Sequence, residues 1–294
     1  KNMYFGLTEE QEMIVETVRS FVENEVYPHE NLVESKGFVP TEIANEIKQK
    51  CINLGFYACN FPEEVGGAGL NHLDFALVER ELGRGSMALT HFFGRPQNIL
   101  MACKGEQIEN YLLPAVRGEK MDALAMTEPD AGSDVRGMKC FAKRDGTDWI
   151  VNGTKHFISG AEHADFVIVF IATGEEKTEK GPKKKITAFL VDRGTQGFTI
   201  RDGYNSVSHK GYKNMILEFD DCRLPKEQIL GEIDGGFAVM NTWLYATRLT
   251  VAAMSVGRAR RCFDYALSYS AERKQFGQQI GKFQGVSFQL ADMI

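Results

Sequence analysis

The chain has 294 residues, of which 43% are hydrophobic and 25% are charged, a composition typical of a globular protein with a sizeable core. Its length fits two domains or one large multi-layer unit better than one compact domain. The formal net charge of −6 disfavours binding to nucleic acid, which needs a basic face. No apolar run approaches the roughly 20 residues that span a bilayer, so we expect neither a nucleic-acid partner nor a membrane span.

The six cysteines are scattered along the chain, without a C-x-x-C pair. Disulfide frameworks are typical of small secreted chains and zinc sites need clustered ligands, so we expect reduced thiols and no metal site. The six histidines likewise lack metal-ligand spacing. The N-terminus has no apolar h-region, so no secretory signal is predicted. The possibility of a targeting peptide that is removed beforehand stays open.

Residues 1–121 are predicted to form a helical domain. Thr8 and Gln11 have the spacing of a capping box, and apolar residues follow on one helical face. Pro28 predicts an end or a kink of this first helix. Further helical patterns occur at residues 41–55, 73–82, 99–103 and 108–116.

Residues 122–231 are predicted to form a β domain, because β-branched and aromatic residues alternate here with Gly, Asp and Asn. The pair Asn152-Gly153 is a hairpin signal. The charged segment 175–185 is interpreted as a surface loop. Two continuous apolar runs suit buried strands, residues 166–171 and 186–191. We expect a small sandwich or barrel.

Residues 232–294 are predicted to begin a second helical domain. A long helix follows a Gly-Gly pair and extends to about Glu272, and a further helix starts near Gln279. Its apolar pattern continues to Ile294 without a capping signal, which predicts an incomplete helical bundle. The expected fold class is therefore α+β and multi-domain, with helices, then a β domain, then helices.

The segment with the clearest chemical signal is AMTEPDAGSD, which spans residues 125–134. Thr127 and Ser133 offer hydroxyl groups, and Gly132 lets a ligand approach the backbone closely. Successive N–H groups in such a turn can bind a pyrophosphate or the polar edge of a ring. Loops rich in Gly, Ser and Asp are common, so chemistry alone leaves a plain polar loop open.

Several motifs resemble those of the acyl-CoA dehydrogenase family. They are TEPDAGSD at 127–134, VNGTKHFIS at 151–159, ERKQFG at 272–277, and, in the N-terminal part, PEEVGG at 62–67 and LLP at 112–114. Each motif alone is moderately specific, but their occurrence in the family's order is highly specific. The resemblance covers essentially the whole chain.

The resemblance implies that the cofactor is FAD. The positions that it assigns to FAD are Leu124, Met126, Thr127, Gly132, Ser133, Phe157, Ser159, Arg273, Gln275 and Gln284. Phe157 falls where the family usually has Trp against the flavin face, and Ser159 falls where a hydroxyl bonds near flavin N5. The last three positions reach the FAD of a neighbouring subunit in the family, which implies a homodimer or homotetramer.

Without these motifs, some of the same residues have purely structural interpretations. Phe157 could be a sheet-core aromatic, and Arg273 could be a solvated cation at a helix end. The run Lys183–Lys185 could contact the 3′-phosphate of CoA, although a charge run in a loop is more often simply solvated.

The resemblance also implies an acyl-CoA substrate, contacted by Ser133, Tyr245, Thr247 and Arg248. Some family members carry their catalytic Glu immediately before this Arg. Thr247 occupies that position and cannot act as a carboxylate base. Other members carry the Glu in the C-terminal region, so we expect the base beyond Ile294 and assign no catalytic residue within the chain.

The expected function is flavin-dependent α,β-desaturation of an acyl-CoA. A carboxylate would remove the α-proton, and the β-hydride would pass to N5 of FAD, because side chains cannot accept a hydride. Electrons would then pass to an electron-transfer flavoprotein, in the bacterial cytoplasm or the mitochondrial matrix. An acyl-CoA oxidase or flavin monooxygenase of the same fold, and a non-catalytic assembly paralogue, remain as alternatives.

Overall fold

A computed structural model describes residues 6–179 and 181–294; residues 1–5 and Lys180 lie outside it. Its α-helices are α1 (Glu9–Phe21), α2 (Tyr27–Lys36), α3 (Thr41–Asn53), α4 (His72–Leu82), α5 (Met87–Thr90), α6 (Leu113–Val116), α7 (Gly236–Glu272) and α8 (Gln284–Asp292). Its strands are β1 (Asp122–Ala125), β2 (Phe141–Asp145), β3 (Asp148–Ser159), β4 (Phe166–Thr178), β5 (Gly181–Asp192), β6 (Phe198–Tyr204), β7 (Asn214–Leu224), β8 (Ile229–Leu230), β9 (Lys274–Gln275) and β10 (Gln278–Gln279). The predicted order of helices, β domain and helices is confirmed.

The first helix begins at the predicted capping box. Thr8 Oγ1 accepts a hydrogen bond from the Gln11 backbone N–H at 3.2 Å, and the Thr8 N–H donates to Gln11 Oε1 at 3.1 Å. Of the end or kink expected at Pro28, the end is not seen, because a π-helical turn (Val22–Val26) connects α1 to α2. Pro28 lies in the first turn of α2, where a helix does not need the missing N–H.

The middle of the chain forms one eight-stranded sheet in the order β6-β7-β3-β2-β4-β5-β8, with β1 parallel to β4. Along β4, Phe166, Ile168 and Phe170 pack into a core shared with the helices, whereas Val167 and Val169 pack into a second core within the β domain. Successive side chains of a strand point to opposite faces. The continuous apolar run is therefore explained by burial on both faces of β4.

The expected hairpin at Asn152-Gly153 is wrong, because both residues lie inside β3. A register shift against β7 occurs there, and Gly153 has a φ of 138°, which indicates a β-bulge. A Cβ on Gly153 would lie 2.6 Å from Cys140 Cα, so the glycine permits a close backbone approach. The β2–β3 hairpin turns instead around Gly146, whose φ is 65°.

The segment 175–185 was expected to be a surface loop, but it extends the β4–β5 hairpin. Its described residues pair across the two strands in register from Glu175 with Lys184 to Thr178 with Gly181. The Lys183 ammonium lies 2.8 Å from the Glu176 carboxylate, and Lys184 pairs with Glu175. Opposite charges facing each other across strands favour pairing, so the charge pattern indicates strand rather than loop.

The 37-residue helix α7 packs against α4 at a point where both backbones come close together. A Cβ on Gly257 would lie 1.7 Å from the Arg80 carbonyl oxygen, and one on Gly83 would lie 2.2 Å from the Met254 carbonyl oxygen. The two glycines therefore fix the helix crossing, which holds residues 243–254 of α7 beside the sheet. Within the described ranges, no helix combines the length and apolarity that crossing a membrane requires.

Candidate active site

A cavity of about 620 Å³ lies where the N-terminal helical region, the sheet and α7 meet. The residues predicted from sequence that line it are Leu124, Met126, Thr127, Phe157, Ser159 and Thr247. The structure thus brings positions assigned to FAD together with one position assigned to the substrate. A concave, largely apolar space with a few polar groups is the usual form of a cofactor or substrate site.

The aromatic residue Phe157 lines this cavity. Its φ of 59° is unusual for a non-glycine residue, and it lies in a register shift between Lys155 and Ile158. The side chain is 54% exposed and stacks on Tyr204 with ring centroids 4.4 Å apart. Phe157 is therefore not a sheet-core aromatic, and the local bulge turns its ring outward.

Ser159 lies two residues further along β3 and also lines the cavity. Its hydroxyl donates a hydrogen bond to Asn214 Oδ1 at 3.0 Å, which fixes the oxygen at the end of the strand. The oxygen keeps lone pairs that can accept a hydrogen bond from a ligand. The side chains of Phe157 and Ser159 thus provide one flat apolar face and one polar group on the same wall.

The loop that carries Thr127 is anchored to β3 by a buried ion pair. Lys155 Nζ lies 2.7 Å from Glu128 Oε1 and donates to the Met126 carbonyl at 3.1 Å. Glu128 also accepts a hydrogen bond from the Cys140 backbone N–H at 3.1 Å. The His156 N–H donates to the Thr127 carbonyl at 2.8 Å. Sequence reasoning missed this anchor, although both charged residues lie inside the quoted motifs.

Gly132 and Ser133 lie on an exposed loop outside the cavity wall. A Cβ on Gly132 would meet no atom of the described structure within 4 Å, so its packing does not require glycine there. The open backbone leaves room for a ligand to approach. The same loop contacts α7 through Arg136, whose guanidinium lies 4.2 Å above the Phe237 ring.

The other predicted residues lie outside the cavity wall. Tyr245 is 71% exposed, and Arg248 is exposed with its guanidinium 5.7 Å from the Tyr245 ring. Arg273, Gln275 and Gln284 are exposed near the C-terminal end of α7, around the β9–β10 pair and the start of α8. Their assignment to a neighbouring subunit's FAD remains a prediction.

Sequence reasoning missed two carboxyl groups in the cavity wall. Glu79 has a fully buried side chain, and its Oε1 lies 3.2 Å from Arg95 Nε. Burial raises the pKa of Glu79, and the guanidinium of Arg95 opposes that rise. Asp122 accepts a hydrogen bond from the Gln97 backbone N–H at 3.2 Å, and burial raises its pKa to about 7.

Two further polar residues link the helical region to the rest of the site. Trp243 of α7 donates its indole N–H to Gln97 Oε1 at 2.6 Å. His91 lines the cavity, and burial lowers the pKa of its imidazole to about 3, so the ring is neutral at physiological pH. In sequence, each of these residues looks like an ordinary member of a helical pattern, and only the tertiary packing reveals its position.

Comparison with known proteins identifies the family. Residues 8–119, 123–222 and 234–294 match the models of the N-terminal, middle and C-terminal domains of acyl-CoA dehydrogenase, respectively. The chain therefore belongs to the acyl-CoA dehydrogenase family, whose members are FAD-dependent oxidoreductases. The resemblance seen in the sequence motifs is confirmed.

Two relatives show the range of the family. The probable acyl-CoA dehydrogenase YngJ of Bacillus subtilis is 34% identical over 305 residues, which covers 99% of this chain and 76% of YngJ. The caffeyl-CoA reductase-Etf complex subunit CarC of Acetobacterium woodii is 34% identical over 297 residues, which covers 99% of this chain and 76% of CarC. Both dehydrogenases and reductases are thus similar to this chain.

Solved structures share the fold. Butyryl-CoA dehydrogenase from Megasphaera elsdenii superposes with a TM-score of 0.86 and 32% identity, covering 99% of this chain and 76% of that chain. The FAD complex of PigA superposes with a TM-score of 0.86 and 28% identity, covering 99% of this chain and 76% of the PigA chain. FAD is the cofactor of this family, and the exposed ring of Phe157, the hydroxyls of Thr127 and Ser159, and the open loop at Gly132 suit it.

Proposed function

We propose that this protein desaturates an acyl-CoA thioester between Cα and Cβ. The observation that carries the proposal is the single cavity shared by Thr127, Phe157 and Ser159 of the β domain and Thr247 of α7. Positions assigned to the flavin and to the thioester thus face one space. FAD, when bound, supplies the hydride acceptor that no side chain can provide.

Each of the β-domain residues has a distinct role in this proposal. The ring of Phe157 packs against one face of the flavin, and the hydroxyls of Thr127 and Ser159 hydrogen-bond its polar edge. Gly132 and Ser133 hold the pyrophosphate, because open backbone N–H groups suit phosphate oxygens. Leu124 and Met126 complete the apolar wall beside the ring.

Residues near the C-terminal end of α7 act between subunits in this proposal. Arg273 pairs with the pyrophosphate of a neighbouring subunit's FAD, since guanidinium suits phosphate geometry. Gln275 and Gln284 hydrogen-bond the same FAD. The active protein is then a homodimer or homotetramer. The exposure of all three side chains leaves them free to reach a partner.

The α-proton requires a base, and a thioester carbonyl makes that proton acidic enough for a carboxylate to remove it. Thr247 is not a carboxylate, so we assign this role to a Glu of the C-terminal region beyond Ile294. On α7, Tyr245 and Arg248 lie next to Thr247 and organise the thioester end of the substrate. Donors fixed at the thioester oxygen stabilise the developing enolate.

We propose an electron-transfer flavoprotein as the electron acceptor. CarC, to which 99% of this chain is similar, is named as a subunit of a complex with such a protein. The bacterial cytoplasm or the mitochondrial matrix is the compartment we propose, because the partner and acyl-CoA substrates would meet the enzyme there.

The test is an anaerobic titration of the holoenzyme with saturated acyl-CoAs of graded chain length, followed by the visible absorbance of the flavin. We expect one chain length to bleach the flavin most effectively, and an electron-transfer flavoprotein to restore its colour. Rapid formation of hydrogen peroxide in air would instead identify an oxidase. If no acyl-CoA bleaches the flavin, desaturation is wrong and a non-catalytic assembly role is favoured.

A further inference from the structure

The cavity wall formed by the N-terminal helical region carries several buried polar atoms that lack hydrogen-bond partners within residues 6–179 and 181–294. They are both carboxylate oxygens of Glu79, Nη1 of Arg95, Nε2 of His91 and Oδ1 of Asn60. All four residues line the cavity. Buried polar groups are normally hydrogen-bonded, so unpaired atoms on four residues that line one cavity require a polar partner, which a ligand group can supply.

The guanidinium of Arg95 is held on two sides. Its Nε lies 3.2 Å from Glu79 Oε1 in an ion pair that lacks hydrogen-bond geometry, and its Nη2 donates to the Thr90 carbonyl at 3.3 Å. The side chains of Glu79 and Arg95 are 0% and 15% exposed. The remaining nitrogen, Nη1, is therefore a positioned donor beside the positioned acceptor oxygens of Glu79.

The charge of this cluster decides which ligand group suits it. Glu79 and Arg95 balance each other, and His91 is neutral because burial keeps its pKa at about 3. Asp122 of β1 adds a carboxyl on the β-domain wall of the same cavity, with a pKa of about 7. A ligand carboxylate would thus meet no net positive charge and several acceptor atoms. A ligand ammonium would leave the Arg95 donor unpaired.

A hydroxyl group satisfies both partners, because it accepts one hydrogen bond and donates another. We propose that Arg95 and Glu79 form a recognition site for a hydroxyl group on the distal part of the substrate's acyl chain. The hydroxyl accepts from Arg95 Nη1 and donates to the Glu79 carboxylate. The site is distal because these residues belong to the helical wall, whereas the flavin positions belong to the β-domain wall.

This inference rests on the proposed function, since an acyl group must enter the cavity. It is tested by calorimetric binding of inert CoA thioethers to the holoenzyme. Three matched series of graded length are used, with alkyl, ω-hydroxyalkyl and ω-carboxyalkyl chains. We expect the best hydroxyalkyl thioether to bind about tenfold tighter than its alkyl counterpart, which corresponds to about one well-made hydrogen bond.

The variant that tests the pair replaces both residues, as Glu79→Met with Arg95→Met. Replacing both members of a buried ion pair by apolar groups is often neutral for folding, whereas removing one leaves an unpaired charge. We expect the double variant to lose the preference for hydroxyl and to keep or improve alkyl binding. The matched control is Arg84→Met with Asp264→Met, which removes an ion pair of 2.9 Å outside the cavity wall.

Three results would overturn the inference. They are equal affinity for alkyl and hydroxyalkyl thioethers, tightest binding of the carboxyalkyl series, and an unchanged hydroxyl preference in the double variant. If alkyl acyl-CoAs bleach the flavin while the hydroxyl preference is absent, only this inference is wrong. If no thioether binds and no acyl-CoA bleaches the flavin, the proposed function is wrong as well.

Discussion

Lys155 Nζ lies 2.7 Å from Glu128 Oε1, and both side chains are buried beneath the loop that carries Thr127. Removing one charge of such a pair leaves the other unpaired in the interior, which lowers the free energy of unfolding by about 3–5 kcal/mol. We expect Glu128→Gln to lower the free energy of unfolding by about 3 kcal/mol and to reduce FAD retention, because the loop loses its anchor. Urea denaturation and the flavin content of the purified protein measure both effects.

The matched control for this prediction lies two residues further along the same loop. Lys139 and Asp130 form an ion pair of 2.6 Å, but both side chains are largely exposed. Exposed pairs contribute little, so we expect Asp130→Asn to leave stability and flavin content unchanged. Equal losses in the two variants would show that burial of the Glu128 pair does not matter.

The order of domains and the cavity wall around Thr127 and Phe157 were predictable because their signals are local in sequence. Strand runs, helical periodicity and the motif around Thr127 each occupy a few consecutive residues. The polar cluster at Glu79 and Arg95 was not predictable, since both residues look like ordinary charges in or next to a helical pattern. Both residues line a cavity that α7 helps to form, and α7 is positioned by its crossing with α4 at Gly83 and Gly257, which joins distant parts of the chain.

The error at Asn152-Gly153 has a similar origin. The pair has the composition of a tight turn. Its glycine instead allows the backbone of β3 to come close to Cys140, which lies 13 residues earlier in the sequence. Local composition cannot distinguish a turn glycine from a bulge glycine, because both need an unusual φ or the absence of Cβ. Residues 175–185 suggested a loop because they are charged, but their charges pair across β4 and β5, which composition alone does not show.

Phe157 should contribute to flavin binding through its exposed ring. We expect Phe157→Ala to weaken FAD binding by about tenfold, since an aromatic pair adds about 0.5–1.5 kcal/mol beyond area burial. Phe157→Trp should retain the cofactor, because it restores a flat aromatic face. The dissociation constant of FAD, measured by fluorescence on reconstitution of the apoprotein, reports the difference.

Phe141 provides the control for the ring at position 157. It lies on β2, is 49% exposed and does not line the cavity, so Phe141→Ala should not change FAD affinity. Should Phe157→Ala bind FAD as tightly as the wild type, the assignment of this ring to the flavin face would be wrong.

Gly153 and Gly146 allow a steric test of the bulge in β3. Both have a positive φ, but a Cβ on Gly153 would lie 2.6 Å from Cys140 Cα, whereas one on Gly146 would meet no atom of the described structure within 4 Å. We expect Gly153→Ala to lower the free energy of unfolding by about 1–3 kcal/mol more than Gly146→Ala, because overpacking adds to backbone strain. Urea denaturation of both variants gives the comparison, and similar losses would contradict a steric role of the bulge.

Asp122 should make stability depend on pH in a defined direction. Burial raises the pKa of its carboxyl from 3.8 to about 7, so between these values the native state holds a proton that the unfolded chain has released. Stability therefore falls as pH rises through this window. We expect Asp122→Asn to match the wild type near about pH 4 and to exceed it by more than about 1 kcal/mol near about pH 8.

The measurement is urea denaturation of wild type and Asp122→Asn at both pH values. The variant keeps a carbonyl oxygen that can accept the hydrogen bond donated by the Gln97 N–H, which lies 3.2 Å from Asp122 Oδ2, so a change in that contact does not explain a gain. Asp220→Asn, at an exposed position on β7, controls for the loss of one negative charge. If the gain of Asp122→Asn is the same at both pH values, or if Asp220→Asn shows an equal rise, the titration of Asp122 is not the cause.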